Sequence, residues 1–519
     1  MALPREGGGL KMLWVAAHLP QLGLEIFQRR HPHGVPQPMV LAEDGRVRLV
    51  DDRARSAGVA VGASLATALS VAPQLIHFER DPAAEIERLR VLATMAHRFT
   101  PTVSVAPPAA LLLEVEGSLN LFEGLRPLLS RLRRAVRRLG HSAALAAAHT
   151  PAAALALAKA GLEAPLSDFP DRAELTQRAC KALAGAPIAC AEIEACNIER
   201  LADMGLFELG SLIRLPRHEL GKRFGPGLVE TLGKLTGAIP DPRAPEPLRE
   251  RFHGSMHLLE SVSSKSILRL PMRRLAVELE TWLTARQLGA RALRWAFKPL
   301  ASQSARRSTV LPVRFAQPRM RANSLLAISG LALDRIDLPA EVMSLSLAAD
   351  AVEPIAEAGP THRDLLGEGS SADQAPMDFV DRVAARLNGE SVRVLRLVDD
   401  HRPECATALA TASLPETTQP PAVGPLGSSF PRPMWLLESP RPVNPERYRI
   451  LSGPERIETG WWDSPEGFAS STASHSACRS ASRDYFVAMD PDGARCWLFR
   501  PRTLDSNEAE QWFLHGYFA

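Results

Sequence analysis

Short apolar runs and amphipathic segments alternate over the first 165 residues of the chain. The apolar runs predict strands within 12–17, 38–50 and 103–115, and apolar spacings of three and four residues predict helices over 84–99 and 125–139. Residues 38–50 form a predicted hairpin, because the turn-forming pair Asp44-Gly45 separates two apolar halves. This order of strands and helices indicates an α/β domain over residues 1–165.

An alanine-rich segment closes this first domain at residues 143–160. Thr150 and Pro151 lie in its middle, and proline is favoured in the first turn of a helix, where its missing N–H costs no hydrogen bond. The segment therefore predicts a strand that ends before Thr150 and a helix that starts at Pro151.

Residues 166–240 carry short apolar-faced segments separated by Gly and Pro, which indicates a small all-helical domain. Its clearest element is 198–215, where a turn at Gly205 joins two amphipathic segments. This pattern is typical of a helix-hairpin-helix, whose backbone N–H groups can contact a DNA phosphate. An ordinary helical hairpin would have the same pattern, so both interpretations stay open.

A proline-rich linker at 239–250 leads into a second α/β domain over 245–352. Its pattern predicts the order strand, helix, strand, strand, helix, strand, which is the split βαβ arrangement. Its clustered basic residues make it a candidate DNA-binding domain. The candidates are Arg269, Arg273, Arg291, Arg294 and Lys298. The alternating basic residues of 291–299 predict a basic sheet face, although a solvated edge would have the same pattern.

The last third of the chain changes composition twice. Pro, Ser, Gly, Thr and Ala dominate most of 353–433, which predicts a flexible tether with one short structured stretch that includes a helix at 377–388. Residues 434–519 are rich in aromatic side chains, which is typical of a small β-rich core or of an interaction surface. We expect most of these rings to form a core, within a region that binds partner proteins.

The overall composition is typical of a soluble multidomain protein. The 519 residues are 45% hydrophobic and 23% charged, and the formal net charge is +3. The six cysteines form no CxxC pair, which argues against a zinc site. The apolar run near the N-terminus is too short to span a membrane and lacks a cleavage-site pattern. We therefore expect a cytoplasmic protein with no cofactor and no membrane partner.

Several segments resemble one protein family. ARSAGVAVGASLATALSVAPQL, at 54–75, resembles the fingers segment of Y-family DNA polymerases. GSLNLFEG at 117–124 resembles the ImuB branch of that family, and so do the tail segments at 435–443, 453–463, 483–500 and 512–519. The resemblance implies palm-like and fingers-like parts in 1–165, a thumb-like domain at 166–240 and a little-finger-like domain at 245–352.

Y-family polymerases hold two metal ions through an Asp on an early strand and an Asp-Glu pair on a second strand. The family motif V-D-x-D places Ala16 at the metal-binding Asp and His18 at the second acidic position. An ungapped match over 103–117 places Ala109 and Ala110 at the Asp-Glu pair. Glu114 lies roughly 13 Å further along an extended strand, so it cannot replace them. The resemblance therefore implies a polymerase-like pseudoenzyme without a metal site.

Nucleotide binding has one candidate residue. Arg55 matches the family's triphosphate-contacting Arg, whereas Asp52 stands where the family has a Tyr that packs over the incoming nucleotide. The family's phosphate-contacting Lys has no clear match, since Lys159 aligns only with a gap. An ordinary surface Arg without a ligand is the alternative interpretation of Arg55.

Residues 362–366 have the register of a bacterial clamp-binding motif of the form Q-x-x-L-F or Q-x-D-L-F. His362 replaces the Gln, Asp364 and Leu365 match, and Leu366 replaces the Phe. A disordered segment can present such side chains freely, so we expect the sliding clamp to bind here. Leucine pairs are common, and a tether without a clamp contact is the alternative.

The resemblance implies a DNA-binding scaffold of translesion synthesis and damage-induced mutagenesis. Such a scaffold would link DNA and the sliding clamp to an error-prone C-family polymerase and a RecA-like accessory protein. The sequence has no G-x-x-x-x-G-K-[ST], G-x-S-x-G or H-E-x-x-H motif that would indicate another enzyme. An active Y-family polymerase with an atypical metal site and a structural DNA-binding protein unconnected with synthesis are the alternatives.

Overall fold

The computed structural model describes residues 12–31, 37–299, 308–339, 341–355, 374–387, 392–398, 400–411, 432–459, 481–502 and 511–518. The chain divides into two compact units, Met1–Arg386 and Leu387–Ala519. No helix within the described ranges is both long enough and apolar enough to cross a membrane. The order of strands and helices confirms the predicted α/β multidomain class.

A four-stranded antiparallel sheet, in the order β5-β6-β1-β7, lies at the centre of the first domain. Its strands are β1 (Trp14–His18), β5 (Val103–Ala106), β6 (Ala110–Glu114) and β7 (Ala144–Ala148). The helices around it are α4 (Pro82–Ala96), α5 (Leu119–Phe122), α6 (Leu125–Arg138) and α7 (Pro151–Ala160). Helices α4 and α6 pack on the face that holds Val15 and Ala17, and α7 packs on the face that holds Ala16. Successive strand residues point to opposite faces, which explains this division.

A second sheet of this domain has the order β3-β2-β4. Its strands are β2 (Met39–Glu43), β3 (Arg46–Val50) and β4 (Ile76–Glu79), and the helices of this part are α1 (Leu22–Arg30), α2 (Asp52–Ser56) and α3 (Leu65–Val71). The hairpin from β2 to β3 turns at Asp44 and Gly45, whose φ angles are 51° and 72°. The predicted Asp-Gly turn is therefore observed.

Five helices follow the first domain. They are α8 (Arg172–Ala184), α9 (Ala195–Asp203), α10 (Leu209–Ile213), α11 (Arg217–Phe224) and α12 (Pro226–Thr236). Their buried leucines, among them Leu183, Leu212 and Leu232, lie in the same apolar cluster as Ala16 and α7. The helical segment therefore shares its core with the first sheet.

The second α/β domain has six elements in the predicted split βαβ order. They are β8 (His253–Val262), α13 (Lys265–Arg286), β9 (Leu288–Pro299), β10 (Thr309–Arg319), α14 (Ala322–Arg335) and β11 (Val342–Pro354). The strands form an antiparallel sheet in the order β10-β9-β11-β8. Both helices pack on one face, over a core that contains Trp295, Phe297 and Leu279.

Helix α15 (Gln374–Leu387) covers the region where the sequence predicts a helix at 377–388. The carboxylate of Asp381 is almost fully buried and accepts hydrogen bonds from the backbone N–H of Ala316 at 2.7 Å and from Arg319. These contacts attach α15 to β10, so this helix is part of the second α/β domain.

The second unit is built from strands. Strand β12 (Arg393–Leu397) pairs with β13 (Thr407–Thr411), and five further strands form an antiparallel sheet in the order β14-β18-β17-β16-β15. These five are β14 (Trp435–Val443), β15 (Arg449–Thr459), β16 (Ala481–Met489), β17 (Arg495–Pro501) and β18 (Trp512–Tyr517). Tyr485 and Trp497 stack in its core with ring centroids 3.9 Å apart, whereas Trp435 is 68% exposed. Core packing therefore accounts for some of the aromatic residues of this region, but not for Trp435.

Candidate nucleic-acid interface and metal positions

The pairing of β1 with β6 brings the predicted metal positions to the centre of the first sheet. Ala16 lies opposite Leu112, and His18 lies opposite Ala110. Ala16 and Ala110 belong to the same buried apolar cluster, whereas Ala109 packs against the cluster on the other face. The sheet thus brings two of the three predicted positions together and separates Ala109 from them.

The shared face around Ala16 and Ala110 is closed to solvent, with 0% and 2% of the two residues exposed. Their methyl groups offer no oxygen that could bind a divalent cation. Glu114 lies at the far end of β6, opposite Trp14, and its carboxylate accepts a hydrogen bond from the Glu116 N–H at 3.0 Å. Across the described parts of the chain, no group of three or more His, Cys, Asp or Glu residues could hold a metal ion. The residues at these positions do not fit a pair of metal ions.

His18 and Lys159 lie near each other at the end of β1. Burial, followed by the positive charge of Lys159, lowers the pKa of His18 to about 4. The imidazole is therefore neutral near pH 7. Lys159 also acts on the thiol of Cys190 and on the carboxylate of Glu192. Sequence comparison leaves Lys159 without a clear match, but the fold places this cation beside the residue that occupies the second acidic position.

Arg55 lies on the short helix α2 and pairs with Asp52 at 2.8 Å. Both side chains are exposed, so the pair contributes little to stability. Asp51 has a structural role, because its carboxylate accepts hydrogen bonds from Ala54 N–H at 2.7 Å and Met39 N–H at 3.1 Å. The Arg55 guanidinium is accessible to an anion from solvent in spite of this pair, and its role in nucleotide binding stays a prediction.

The turn at Gly205 joins α9 to the five-residue helix α10. Gly205 has a φ of 76°, and a Cβ placed there would meet no atom within 4 Å. The neighbouring side chains of Met204 and Phe207 are 48% and 64% exposed. The turn is therefore an exposed tip. The N–H groups of Gly205 and Leu206 already donate to the carbonyls of Ala202 and Leu201, so the interpretation of this turn as a DNA-binding helix-hairpin-helix stays a prediction.

A second helical hairpin was not predicted from the sequence. Helices α11 and α12 are joined at Gly225, which has a φ of 87°, and Pro226 starts α12. Lys222 and Arg223 lie in the last turn of α11, next to this joint. The signal for it is the pair Gly225-Pro226 directly after a basic helical turn, since Gly ends helices and Pro starts them.

The open face of the second α/β sheet is polar and basic. On β9, Leu293, Trp295 and Phe297 are buried against the helices, whereas Arg294 and Lys298 are exposed on the other face. The alternation predicted for 291–299 is thus observed, and it follows from the two-residue period of a strand.

Neighbouring strands extend this basic face. Arg314 is exposed on β10, while the exposed residues Ser255 and His257 of β8 lie opposite Ser346 and Ser344 of β11. Arg314, Ser255 and His257 are further interface candidates, which local sequence patterns do not reveal because their position depends on the order of the strands.

The predicted DNA-binding residues of this domain do not share one surface. Arg294 pairs with Asp350 at 3.0 Å and Lys298 is exposed, both on the open face. Arg291 is largely buried, donates to the backbone carbonyls of Phe315 and Ala316, and pairs with Glu353 at 3.2 Å.

The other two predicted residues, Arg269 and Arg273, lie on α13, on the opposite side of the sheet. Arg269 pairs there with Asp334 of α14 at 3.5 Å. A helix that covers one face of a sheet cannot present side chains on the other face. The open face therefore contains only Arg294 and Lys298 of the five predicted residues. The predicted clamp-binding residues His362, Asp364, Leu365 and Leu366 lie outside the described residues.

Comparison with known proteins identifies part of the chain. Residues 22–159 match the model of the impB/mucB/samB family. The matched residues include Arg55, Ala109, Ala110 and Lys159, whereas Ala16 and His18 precede them.

Similarity to one relative extends over most of the chain. Protein ImuB of Caulobacter vibrioides is 26% identical over 483 residues, which cover 89% of this chain and 100% of the relative. The predicted resemblance to the ImuB branch is confirmed by this match.

Two solved structures also align with the chain. DinB from Sulfolobus solfataricus has 13% identity and a TM-score of 0.34, and covers 65% of this chain and 98% of its own. An insertion ternary complex of Dbh DNA polymerase has 13% identity and a TM-score of 0.36, and covers 66% of this chain and 99% of its own.

Proposed function

We propose that the protein is a non-catalytic, DNA-binding scaffold of translesion synthesis and damage-induced mutagenesis. In this proposal it is a cytoplasmic protein that binds DNA as a polymerase does, while a separate polymerase performs synthesis. The similarity to Protein ImuB over 89% of the chain and the match to the impB/mucB/samB family support a role in this process.

The observation that carries the non-catalytic part is the closed apolar face of Ala16 and Ala110. Two divalent cations need several oxygen ligands at about 2.1 Å, and a methyl group supplies none. Ala109 points to the other face, and His18 is partly buried near the cation Lys159. A second divalent cation near that ammonium would be repelled by it.

DNA binding is proposed for two surfaces. The open face of the second α/β sheet carries Arg294, Lys298 and Arg314, which can contact phosphates without reading a sequence. In the helical segment, the proposed phosphate contact is the first turn of α12 after Gly225, because the first backbone N–H groups of a helix have no partner within it. The exposed tip at Gly205 lies in the same segment. Each surface is sequence-independent in its chemistry, which suits a protein that acts at varied lesions.

The partner contacts are proposed from the sequence. Residues 362–366 would insert Leu365 and Leu366 into the sliding clamp, and the strand-rich unit Leu387–Ala519 would recruit an error-prone C-family polymerase and a RecA-like accessory protein. The exposed side chains of Trp435, Ile450 and Leu451 in that unit supply apolar surface for such contacts.

The deciding experiment is primer extension by the purified full chain with Mg²⁺ or Mn²⁺, beside an active Y-family polymerase as the positive control. We expect DNA binding without nucleotide incorporation. Incorporation that persists after contaminating polymerases have been removed would show instead an active polymerase with an atypical metal site.

A further inference from the structure

An arginine-walled cavity of about 450 Å³ lies between α1, α6 and α13. Arg29 of α1, Arg138 of α6, and Arg273 and Arg274 of α13 contribute to its wall, together with Gln28 and Asn323. The wall includes Arg273, one of the predicted DNA-binding residues, and phosphate binding in the cavity does not depend on the proposed scaffold role.

Too few carboxylates surround these guanidinium groups. Glu278 lies 2.5 Å from both Arg29 and Arg88, so one carboxylate serves two guanidiniums. Glu280 is likewise shared, by Arg138 at 2.6 Å and Arg321 at 3.4 Å. Each carboxylate carries one negative charge against two positive ones.

Two further arginines of the wall have no carboxylate partner among the described residues. Arg274 is half-buried, and its guanidinium donates to two backbone carbonyls, those of Arg29 and His31. A carbonyl group is neutral, so these hydrogen bonds do not balance the charge of Arg274. Arg273 is exposed at the mouth of the cavity, and no ion pair joins it to the described part of the chain. A half-buried guanidinium without a counter-charge is unfavourable unless an anion approaches it.

Glu25 is the acidic residue in the wall, and it does not compensate this excess. Its carboxylate accepts hydrogen bonds from Ser142 N–H at 2.9 Å and Ser142 Oγ at 2.6 Å, and it contacts His141 Nδ1 at 2.7 Å. Burial raises its pKa, while the hydrogen bonds from Ser142 and the charges of Arg88 and Arg29 act in the opposite direction. Its hydrogen-bonding capacity is therefore already used within the first domain.

The pKa of Arg29 reflects the remaining positive charge. It is lowered to about 9, first by burial and then by the neighbouring charge of Arg88, with Arg274 adding to the effect in spite of Glu278. The pKa of a guanidinium group in water lies above about 12, so the group normally stays protonated up to that pH. Arg29 is still charged near pH 7, and an anion in the cavity would raise this pKa again.

The arginine side chains of the wall indicate which kind of ligand the cavity binds. A guanidinium group can donate two parallel, charge-assisted hydrogen bonds to the oxygens of one phosphate. The ammonium group of Lys lacks this planar geometry, so Arg is the better phosphate ligand. The wall residues include no aromatic side chain on which a base could stack. We propose that this cavity binds a phosphate group, carried either by a free polyphosphate such as a nucleotide or by the backbone of a nucleic-acid strand.

The test uses the full chain and sodium tripolyphosphate as the probe, titrated by calorimetry at constant ionic strength. Arg273→Glu is the main variant, because this exposed side chain can change without disturbing the core. Arg126→Glu is the matched control, since Arg126 is exposed near the start of α6, roughly 18 Å along the helix from Arg138. Arg274→Gln is a second variant, provided that its melting curve shows a folded protein.

We expect saturable binding that Arg273→Glu weakens about tenfold or more and that Arg126→Glu leaves within about twofold. ATP and a short oligothymidylate, titrated in parallel, separate the two sources. Binding of tripolyphosphate and ATP indicates a free polyphosphate, whereas binding of the oligonucleotide alone, abolished in Arg273→Glu, indicates a strand phosphate. Absence of any saturable binding, or equal weakening by Arg273→Glu and Arg126→Glu, would overturn the proposal. Neither result bears on primer extension.

Discussion

Burial, followed by the positive charge of Lys159 on α7, lowers the pKa of His18 on β1. The two residues are far apart in sequence and meet because β1 and α7 pack in one cluster. His18 is therefore a neutral group where the resemblance expects an acidic one, and a neutral imidazole beside an ammonium cannot substitute for a carboxylate that binds metal.

His18 should make the stability of the fold depend on pH. Its pKa is about 4 in the folded protein, against about 6.5 in an unfolded chain. Because the unfolded chain binds the proton more readily, the free energy of unfolding should fall as the pH drops from about 6.5 to about 4. His18→Gln should lose less stability over this range, measured by urea unfolding at a series of pH values.

The control for this prediction is His218→Gln, since the side chain of His218 is 75% exposed. That variant should keep the pH dependence of the unchanged protein. A ring titration by NMR adds a direct check, in which Lys159→Gln raises the pKa of His18 and Lys159→Arg does not. An identical pH dependence in His18→Gln and in the unchanged protein would contradict the assignment.

Ala16→Asp should destabilise the protein by about 3 kcal/mol or more, because it buries a carboxylate in an apolar cluster without a partner. Ala60→Asp, on an exposed residue, is the matched control and should change stability by less than about 0.5 kcal/mol. Urea unfolding measures both, with and without Mg²⁺. A stable Ala16→Asp variant that Mg²⁺ stabilises further would show an open metal site instead of a closed core.

Arg294→Ala combined with Lys298→Ala should weaken DNA binding and lower the log–log salt slope by about two, because each removed cation leaves one phosphate with its counterion. Arg269→Ala, on the helical side, should have a smaller effect than Lys298→Ala. Fluorescence anisotropy at several salt concentrations measures the slopes. A larger effect of Arg269→Ala would place the DNA on the helical side of the domain.

Arg291→Ala should act on stability more than on DNA binding. Its guanidinium donates to the carbonyls of Phe315 and Ala316, so its removal leaves these groups unsatisfied at a cost of about 1–3 kcal/mol. Urea unfolding of Arg291→Ala and of Arg294→Ala separates the two roles, since only the first should lower the midpoint. Equal midpoints would show that the buried contacts of Arg291 are not important for the fold.

Clamp binding and partner binding should separate at the boundary between the two units. Truncation after Arg386 removes the strand-rich unit and keeps residues 362–366. The truncated chain should bind the sliding clamp and lose the C-family polymerase and the RecA-like partner in pull-downs. Leu365→Ala with Leu366→Ala should do the opposite, since burying each leucine contributes about 1.5–3 kcal/mol. Capture of both partners by the truncated chain would show that they dock elsewhere.

Local patterns predicted the strands and helices well because the causes are local. Thr150 accepts a hydrogen bond from Ala153 N–H, and Pro151 is the first residue of α7, as the pair predicts. The alternation along β9 likewise follows from a period of two residues. These features depend only on residues that are neighbours in sequence and on whether each side chain is hydrophobic or polar.

The arrangement of the candidate site depends on pairing between distant segments, which no local pattern contains. The positions of Ala16 opposite Leu112 and of His18 opposite Ala110 follow from the register of β6 against β1. Arg291 donates to carbonyls of β10, and Lys159 lies near His18. Both contacts join residues that are distant in sequence and form only when the chain folds. Composition shows that 245–352 is rich in arginine, but not which arginines share a face.

The apolar cluster that joins Ala16 of β1 to Leu232 of α12 limits hinge motion. Swinging the helical segment away from the sheet would expose alanine and leucine surface to water, at about 25 cal/mol for each Å². The sheet and the helices should therefore melt in one calorimetric transition. A DNA duplex that approaches the turns at Gly205 and Gly225 would therefore meet helices that are held fixed against the sheet. We expect the protein to adapt to damaged DNA by movement of these exposed turns and not by a hinge between the sheet and the helices.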